Sequence, residues 1–190
     1  TFSFFPGKNL GAFGDGGAIL TNSKSIYTYC LRCRNHGSLK KYDHKFSGRN
    51  SRLDTIQASI LNIKLKNYNK NVLFKRSKLA LRYFKNLKSL NQIKLFNLNK
   101  KNSSSFHQFV IRTKFRDKLK KFLKKKNIDT MIHYPYMLSE LNFFQNKNIL
   151  KKSKNLGNNI LSLPISEEHT IKQIDYVSNI IKEFFRKKNT

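Results

Sequence analysis

The sequence contains no tryptophan, only two cysteines, and no uninterrupted apolar run of the roughly 18 residues or more that a membrane-spanning helix needs. The cysteines form Cys30-Leu-Arg-Cys33, a spacing that suits a redox pair or half of a zinc site, but the second pair that a zinc centre requires is missing. We therefore interpret them as incidental thiols on one helix face and predict no metal site. Reduced thiols are typical of a cytoplasmic protein.

Acidic residues are also scarce, with 10 Asp and Glu against 39 Lys and Arg and a net charge of +29. Such a charge invites a nucleic-acid function, but the sequence has no RNP motif, zinc-finger spacing or basic-zipper pattern. The lysines are spread along a chain that is also rich in Asn, Ile and Phe. We interpret the charge as a solvated, compositionally biased surface and predict no specific nucleic-acid partner. A positive field would still speed the capture of a doubly charged anion, in a salt-sensitive way.

The first half of the chain shows alternating strand and helix signals. Gly17–Thr21 predicts a short buried strand, and a helix follows over about 23–34, with an irregular connection over 35–50. Ser51-Arg-Leu-Asp54 fits a capping box that opens a long helical pattern, continuing with or without a break to about residue 90. The polar residues 91–104 predict a loop.

The second half predicts a smaller unit of strands and helices. Alternation over 106–111 predicts a strand, and an amphipathic helix with Leu119, Phe122 and Leu123 on one side follows. A strand is predicted over about 128–134, and one short helix between 140 and 160. Thr170-Ile-Lys-Gln173 is a second capping box, before a helix with an apolar stripe that we assign to core packing. The stripe comprises Ile171, Ile174, Val177, Ile181, Phe184 and Phe185.

Lys8 is the residue whose surroundings are most suggestive of chemistry. It lies between an aromatic, Pro-containing segment and a loop containing Gly11, Gly14, Gly16 and Gly17. An amine placed against an apolar wall, with backbone free to approach a ligand, can lose its proton and become a nucleophile. We expect the glycines to adopt positive φ and to bring backbone close to a ligand, although Gly14-Asp-Gly16 also suits a plain turn. In such a lysine-rich chain, an ordinary surface lysine is the alternative.

Several further motifs follow in order along the chain. They are the Lys8 segment Phe2–Gly17, Leu-Arg-Cys-Arg-Asn-His-Gly at 31–37, Gly-Arg-Asn-Ser-Arg-Leu-Asp-Thr-Ile-Gln-Ala at 48–58, His-Gln-Phe-Val-Ile-Arg at 107–112, Ile-Asp-Thr-Met-Ile-His-Tyr-Pro at 128–135, and Leu-Ser-Leu-Pro at 161–164. In this order they resemble the motifs of DegT/StrS-type sugar-nucleotide aminotransferases, fold-type I enzymes that bind pyridoxal 5′-phosphate. The resemblance extends over nearly the whole chain.

The resemblance implies an α/β fold that corresponds to the C-terminal half of a fold-type I aminotransferase. In the family the cofactor lysine lies near the middle of the chain, whereas here it is residue 8. We therefore expect residues 1–50 to be the end of the cofactor-binding large domain, 51–92 a long linking helix region, and 93–190 a small C-terminal α/β domain. The acidic partner of the pyridine nitrogen and most of the ring pocket would lie outside this sequence.

The resemblance also implies roles for three residues in cofactor binding. Lys8 would form the Schiff base with the cofactor and shuttle the proton during catalysis. Ser3 would hydrogen-bond the cofactor phosphate, and Asn50 would reach the phosphate of the neighbouring subunit, so that a homodimer shares its active sites. From the residues alone, Ser3 is equally compatible with an unremarkable strand or turn, and Asn50 with hydrogen bonding at a helix start.

Substrate contacts are predicted at Arg52, His133 and Tyr134. Arg52 would face a substrate carboxylate or phosphate, with an ordinary solvent-facing arginine as the alternative. His133 and Tyr134 match a family motif near the sugar-binding mouth, although a histidine before Tyr-Pro is often structural. Where the family usually continues with further proline and a histidine, this chain has Tyr136-Met-Leu-Ser139.

The function implied is transamination of a nucleotide-linked keto-deoxy sugar, with glutamate as amino donor, in the synthesis of amino sugars for surface polysaccharides. Because only part of the site lies in this sequence, we expect the isolated chain to be inactive. Residues 1–50 would also expose surfaces meant for the other half of the protein, so we expect the isolated chain to be unstable. The alternative is a non-catalytic remnant that serves as a binding or interaction domain.

Overall fold

A computed structural model describes residues 1–96, 103–143 and 150–187, and it divides the chain into two compact units, Thr1–Tyr68 and Asn69–Thr190. Both units mix helix and strand, which confirms the predicted α/β class. Across these described ranges, we find no helix with the length and apolar character needed to cross a membrane.

The first unit contains a two-stranded ladder and two helices. Its regular elements are β1 (Phe2–Ser3), β2 (Gly17–Ala18), α1 (Lys24–Cys33) and α2 (Thr55–Lys66). The strands are antiparallel, and Ser23 caps α1 by accepting a hydrogen bond from the Ile26 N–H, close to the predicted helix start. The predicted strand over 17–21 is too long, because the pairing with β1 ends at Ala18. Its assignment as buried is also wrong, because Ile19 and Leu20 are 55% and 74% exposed.

The predicted capping box at Ser51 is also wrong. Helix α2 begins at Thr55, and its N-cap is Asp54, whose carboxylate accepts a hydrogen bond of 2.9 Å from the Ile56 N–H. Ser51 instead donates its backbone N–H to the Arg34 carbonyl at 2.9 Å. The segment does contain a capping residue, but that residue is Asp54. The backbone hydrogen bond to Arg34 holds Ser51 outside the helix.

The long helical pattern is present and is broken in the middle. After α2 ends at Lys66, a π-helical segment (Asn69–Phe74) leads directly into α3 (Lys75–Leu87). The boundary between the two units falls between Tyr68 and Asn69, at this break.

The second unit is a three-stranded antiparallel sheet with helices. After the π-helical segment and α3, its elements are β3 (Lys94–Leu95), β4 (Phe109–Arg112), α4 (Arg116–Lys125), a 3₁₀ turn (Leu138–Glu140), α5 (Lys151–Gly157), β5 (Ile160–Leu163) and α6 (Ile171–Arg186). The strand order is β3-β4-β5, with Phe109 opposite Leu163 and Lys94 opposite Arg112.

Several strand predictions in this unit need correction. The predicted loop over 91–104 contains β3, and its residues 97–102 lie outside the described residues. The strand predicted over 106–111 begins only at Phe109. In place of the strand predicted over 128–134, Met131 makes an isolated bridge to Ser162, and β5 was not predicted at all. The predicted helices α4 and α6 are confirmed, and α5 is the short helix predicted between 140 and 160. Residues 144–149 of that range lie outside the described residues.

The core of the second unit joins one face of the sheet to α3, α4 and α6. Phe109 and Ile111 alternate inward from β4, and Leu161 does so from β5. The capping box at Thr170 and Gln173 is confirmed by reciprocal hydrogen bonds, and it sets the predicted stripe of α6 against this core. The buried stripe residues are Ile174, Val177, Ile181, Phe184 and Phe185. Tyr83 on α3 is buried, donates its hydroxyl to the Pro164 carbonyl at 2.9 Å, and has a pKa raised by burial.

An ion pair joins α3 to α6 and makes stability depend on pH. Arg82 donates two hydrogen bonds to Asp175, at 2.6 and 2.7 Å, and Asn86 donates a third. These donors, Arg82 first, lower the pKa of Asp175 from 3.8 to about 2. Because the carboxylate is favoured in the folded state, its contribution to stability is complete above its ordinary pKa and is lost as pH falls through about 2.

We therefore expect Asp175→Asn to lower the Tm at neutral pH, in the protein that contains this chain. The difference from wild type should shrink as pH falls from about 4 to about 2, in thermal denaturation followed by circular dichroism. Asp129→Asn is the matched control, because Asp129 pairs with Lys124 on the surface, where both side chains are largely exposed. A difference for Asp175→Asn that stays constant over this range would contradict the assignment.

Candidate functional site

Lys8 and Ser3 are connected through the backbone of one residue, Phe5. The Lys8 backbone N–H donates to the Phe5 carbonyl at 2.9 Å, which closes a turn directly after β1. The Ser3 hydroxyl oxygen accepts a hydrogen bond from the Phe5 N–H at 3.3 Å. Ser3 is exposed and Lys8 is half-buried. The two residues to which the resemblance gives cofactor roles thus both bond the backbone of Phe5.

The glycine loop, residues 11–17, folds back against the strand that precedes Lys8. Phe4 donates its N–H to the Gly16 carbonyl and accepts from the Ala12 N–H, both at 2.8 Å. A Cβ on Gly11 would overlap the Pro6 carbonyl, and one on Gly17 would lie 2.8 Å from the Phe2 carbonyl oxygen. Close backbone approach is thus what requires glycine at these two positions.

The expected positive φ of this loop is wrong. Among the glycines of the described residues, only Gly37 has a positive φ, at 80°. Gly11, Gly14, Gly16 and Gly17 do not have a positive φ. What sets them apart is that neighbouring backbone or side-chain atoms lie close to the position that a Cβ would occupy.

Helix α2 contacts the glycine loop through two polar side chains that sequence reasoning did not select. The Gln57 Oε1 accepts a hydrogen bond from the Phe13 N–H at 2.7 Å. The Lys64 Nζ donates to the Gly11 carbonyl at 2.5 Å and lies 5.1 Å from the centre of the Phe13 ring. The sequence feature that could have identified Gln57 is its position within the motif at 48–58.

A polar cluster joins the motif at 31–37 to the motif at 48–58. The backbones of Asn35 and Asn50 pair as an antiparallel bridge. Arg52 donates through Nε to the Asn50 Oδ1 at 3.1 Å and through Nη1 to the Asn35 Oδ1 at 3.4 Å. Arg52 is exposed, but two amide oxygens orient its guanidinium. Asn35 is the member of this cluster that sequence reasoning missed.

The location of Asn50 differs from the prediction. The sequence predicts a helix that opens at Ser51 and so puts Asn50 directly before it, where hydrogen bonding at a helix start is the expectation from the residues alone. Because α2 begins only at Thr55 and is capped by Asp54, Asn50 is not at the helix start. Hydrogen bonding at a helix start is therefore excluded as its role, and the Asn50 side chain instead accepts from Arg52.

His133 and Tyr134 belong to the second unit. The His133 Nδ1 lies 2.9 Å from the Oγ of Ser162, a buried residue of β5. Tyr134 is 66% exposed, and its ring meets that of His133 edge to face, with 5.6 Å between the centroids. His133 thus has a structural partner on the sheet, while the Tyr134 phenol faces outward.

Three predicted side chains of the first unit have the chemistry that an aldehyde carrying a phosphate needs. Lys8 supplies a primary amine, Ser3 a hydroxyl, and Arg52 a guanidinium oriented by two amide oxygens. In the ranges that the structure describes, no three His, Cys, Asp or Glu side chains are grouped so as to hold a metal ion. Cys30 and Cys33 are free thiols.

Comparison with known proteins gives a consistent result. The sequence model of the DegT/DnrJ/EryC1/StrS aminotransferase family matches residues 1–182. The dTDP-3-amino-3,4,6-trideoxy-alpha-D-glucose transaminase of Streptomyces venezuelae is 35% identical over 187 residues, which are 96% of this chain and 49% of that protein.

Solved structures agree with this match. The crystal structure of S. venezuelae DesV in complex with a ketimine intermediate superposes with a TM-score of 0.91 at 35% identity, over 96% of this chain and 50% of DesV. NtdA from Bacillus subtilis with bound cofactor PMP superposes with a TM-score of 0.82 at 26% identity, over 95% of this chain and 45% of that one. The chain spans about half the length of the curated relatives it matches.

Proposed function

Because this chain belongs to the DegT/DnrJ/EryC1/StrS aminotransferase family, we propose that the protein containing it aminates a nucleotide-linked keto-deoxy sugar with pyridoxal 5′-phosphate as cofactor. Glutamate is the proposed amino donor, and the product serves amino-sugar and surface-polysaccharide synthesis in the cytoplasm. The observation that supports this most is the family match over 1–182, which includes Lys8 within a loop whose backbone also positions Ser3.

Lys8 is the proposed catalytic residue. Its Nζ would hold the cofactor through the cofactor's aldehyde group and would carry a proton to and from the substrate carbon. When bound, the cofactor would supply an electron sink next to that carbon. Ser3 binds the cofactor phosphate through its hydroxyl, and the turn closed by the Lys8 N–H and the Phe5 carbonyl keeps amine and hydroxyl on one short segment.

Arg52 is the proposed anion-binding residue. Its guanidinium is oriented by Asn35 and Asn50, so less side-chain entropy is lost when it binds a carboxylate or phosphate. We further propose that Asn50 reaches the cofactor phosphate of a neighbouring subunit, in a homodimer with shared active sites. His133 and Tyr134 are the proposed sugar contacts, with Tyr134 the more accessible of the two.

The proposed domain organisation is the one that the family resemblance implies. Residues 1–50 complete the cofactor-binding domain, 51–92 form the linking helix region with its π-helical break, and 93–190 form the small C-terminal domain. The antiparallel sheet of the second unit supports a core for that last part, and α3 of the linking region contributes Leu79, Ala80, Tyr83 and Leu87 to the same core.

A transamination assay tests this function. The protein containing this chain is incubated with pyridoxal 5′-phosphate, glutamate and a panel of dTDP-, UDP- and GDP-linked keto-deoxy sugars. We expect one amino sugar and one 2-oxoglutarate to form together, in equal amounts, measured by mass spectrometry. A protein that neither binds the cofactor nor turns over any member of the panel would instead support the non-catalytic remnant.

A further inference from the structure

We propose that Gln57 is a positioning residue of the cofactor site, because its side chain fixes the glycine loop that follows Lys8. Lys64, seven residues further along the same helix, supports the same loop at a second point. The link to the cofactor rests on the proposed function, whereas the link to the loop rests on geometry within the first unit alone.

The contact from Gln57 joins distant parts of the chain. Its Oε1 accepts from the Phe13 N–H at 2.7 Å, across 44 residues of sequence. A Cβ on Gly14 would lie 3.3 Å from the Gln57 Nε2, so the side chain packs against the loop as well as bonding it. Gln57 is half-buried, whereas its helix neighbours Ile56 and Asn62 are exposed.

The contact from Lys64 reinforces this arrangement. Its ammonium group donates to the Gly11 carbonyl at 2.5 Å, a charge-assisted hydrogen bond, and stands over the Phe13 ring at 5.1 Å. The two side chains of α2 therefore hold the loop at Gly11 and at Phe13, on either side of Ala12.

The held loop is itself bonded to the strand before Lys8. Ala12 donates to the Phe4 carbonyl, and the Gly16 carbonyl accepts from the Phe4 N–H. The next residue, Phe5, is the one whose backbone bonds both the Ser3 hydroxyl and the Lys8 N–H. A shift of the loop is thus transmitted through Phe4 to the segment that carries the proposed cofactor residues.

The test compares two substitutions of Gln57 with a control on the same helix, in the protein containing this chain. Gln57→Leu keeps the volume and removes the acceptor, Gln57→Glu keeps an acceptor oxygen, and Asn62→Leu changes an exposed residue. For Gln57→Leu we expect amide hydrogen exchange in 11–17 to rise about three- to tenfold, and the Kd for pyridoxal 5′-phosphate to rise by a similar factor. Gln57→Glu and Asn62→Leu should stay close to wild type in both measurements, which a merely structural role of Gln57 would not predict.

Unchanged exchange in Gln57→Leu would overturn the proposal, and so would equal effects of Gln57→Leu and Gln57→Glu. Should Gln57→Leu not fold, Lys64→Met tests whether α2 holds the loop, with Lys66→Met as its control. We then expect amide exchange in 11–17 to rise about three- to tenfold in Lys64→Met and to stay unchanged in Lys66→Met. A wild-type protein that binds no cofactor at Lys8 would overturn the proposed function together with the cofactor part of this inference. In that case the exchange rates still confirm or refute the contact with the loop.

Discussion

Lys8→Ala is expected to abolish covalent cofactor binding and to lower the transamination rate by at least about 1,000-fold in the protein containing this chain. The amine has two proposed roles, bonding the cofactor aldehyde and carrying the proton, and alanine can perform neither. The overall stability should change little, because Lys8 is half-buried and the hydrogen bond it makes to Phe5 is through its backbone N–H. Steady-state kinetics with a melting curve for each variant measures both quantities.

Lys66→Ala is the matched control for this experiment. Lys66 is an exposed lysine at the end of α2, so its removal changes the net charge equally without touching the loop around Lys8. Its rate should remain within about twofold of wild type. A Lys8→Ala variant that keeps both the cofactor absorbance and the rate would show that another amine is the nucleophile.

The largest expected effect on stability is at Arg76, in the second unit. This buried arginine donates through Nε to the Glu167 carboxylate at 2.8 Å. Its Nη1 donates to the carbonyls of Phe106, His107 and Ile165 at 3.1 to 3.3 Å. It therefore joins α3 to the chain before β4 and to the chain after β5.

Arg76→Met is expected to lower the free energy of unfolding by about 3 kcal/mol, because it leaves a partly buried carboxylate and carbonyl groups without their donor. The free energy of unfolding of Arg76→Lys should lie between those of wild type and Arg76→Met, since lysine keeps the charge but loses the planar arrangement of donors. The adjacent exposed Lys75→Met serves as control, and urea denaturation followed by circular dichroism gives the values. Equal midpoints for Arg76→Met and Lys75→Met would show that the network contributes nothing.

Those parts of the fold that depend on neighbouring residues were predicted well from the sequence. The capping box at Thr170 and the stripe of α6 are encoded within one helix, and so is the amphipathic pattern of α4. The break in the long helical region was left open by the pattern and is resolved by the π-helical segment Asn69–Phe74.

The strands were predicted less well because their bounds depend on partners elsewhere in the chain. The segment Gly17–Thr21 has strand-like composition, but its ladder ends where β1 ends. β5 forms from Ile160–Leu163 because it pairs with β4 from an earlier part of the chain, and four residues are too few for a strand pattern to be recognised from the sequence alone. At Ser51 two potential caps compete, and the backbone pairing with Arg34 decides in favour of Asp54.

The candidate site shows the same limit. Lys8, Ser3 and Arg52 were selected from the sequence because each lies in a motif. Asn35, which orients Arg52, and Gln57, which accepts from the Phe13 N–H, also lie in motifs, but their contacts are not predictable from the sequence because they span 17 and 44 residues. Such contacts exist only once the chain has folded.

Chemical trapping identifies the amine that holds the cofactor, which we propose is Lys8. The protein containing this chain is loaded with pyridoxal 5′-phosphate, reduced with borohydride, digested and mapped by mass spectrometry. We expect a single phosphopyridoxyl modification on the peptide carrying Lys8, present in wild type and Lys66→Ala and absent in Lys8→Ala. A stable modification at a different lysine, or none on wild type, would contradict it.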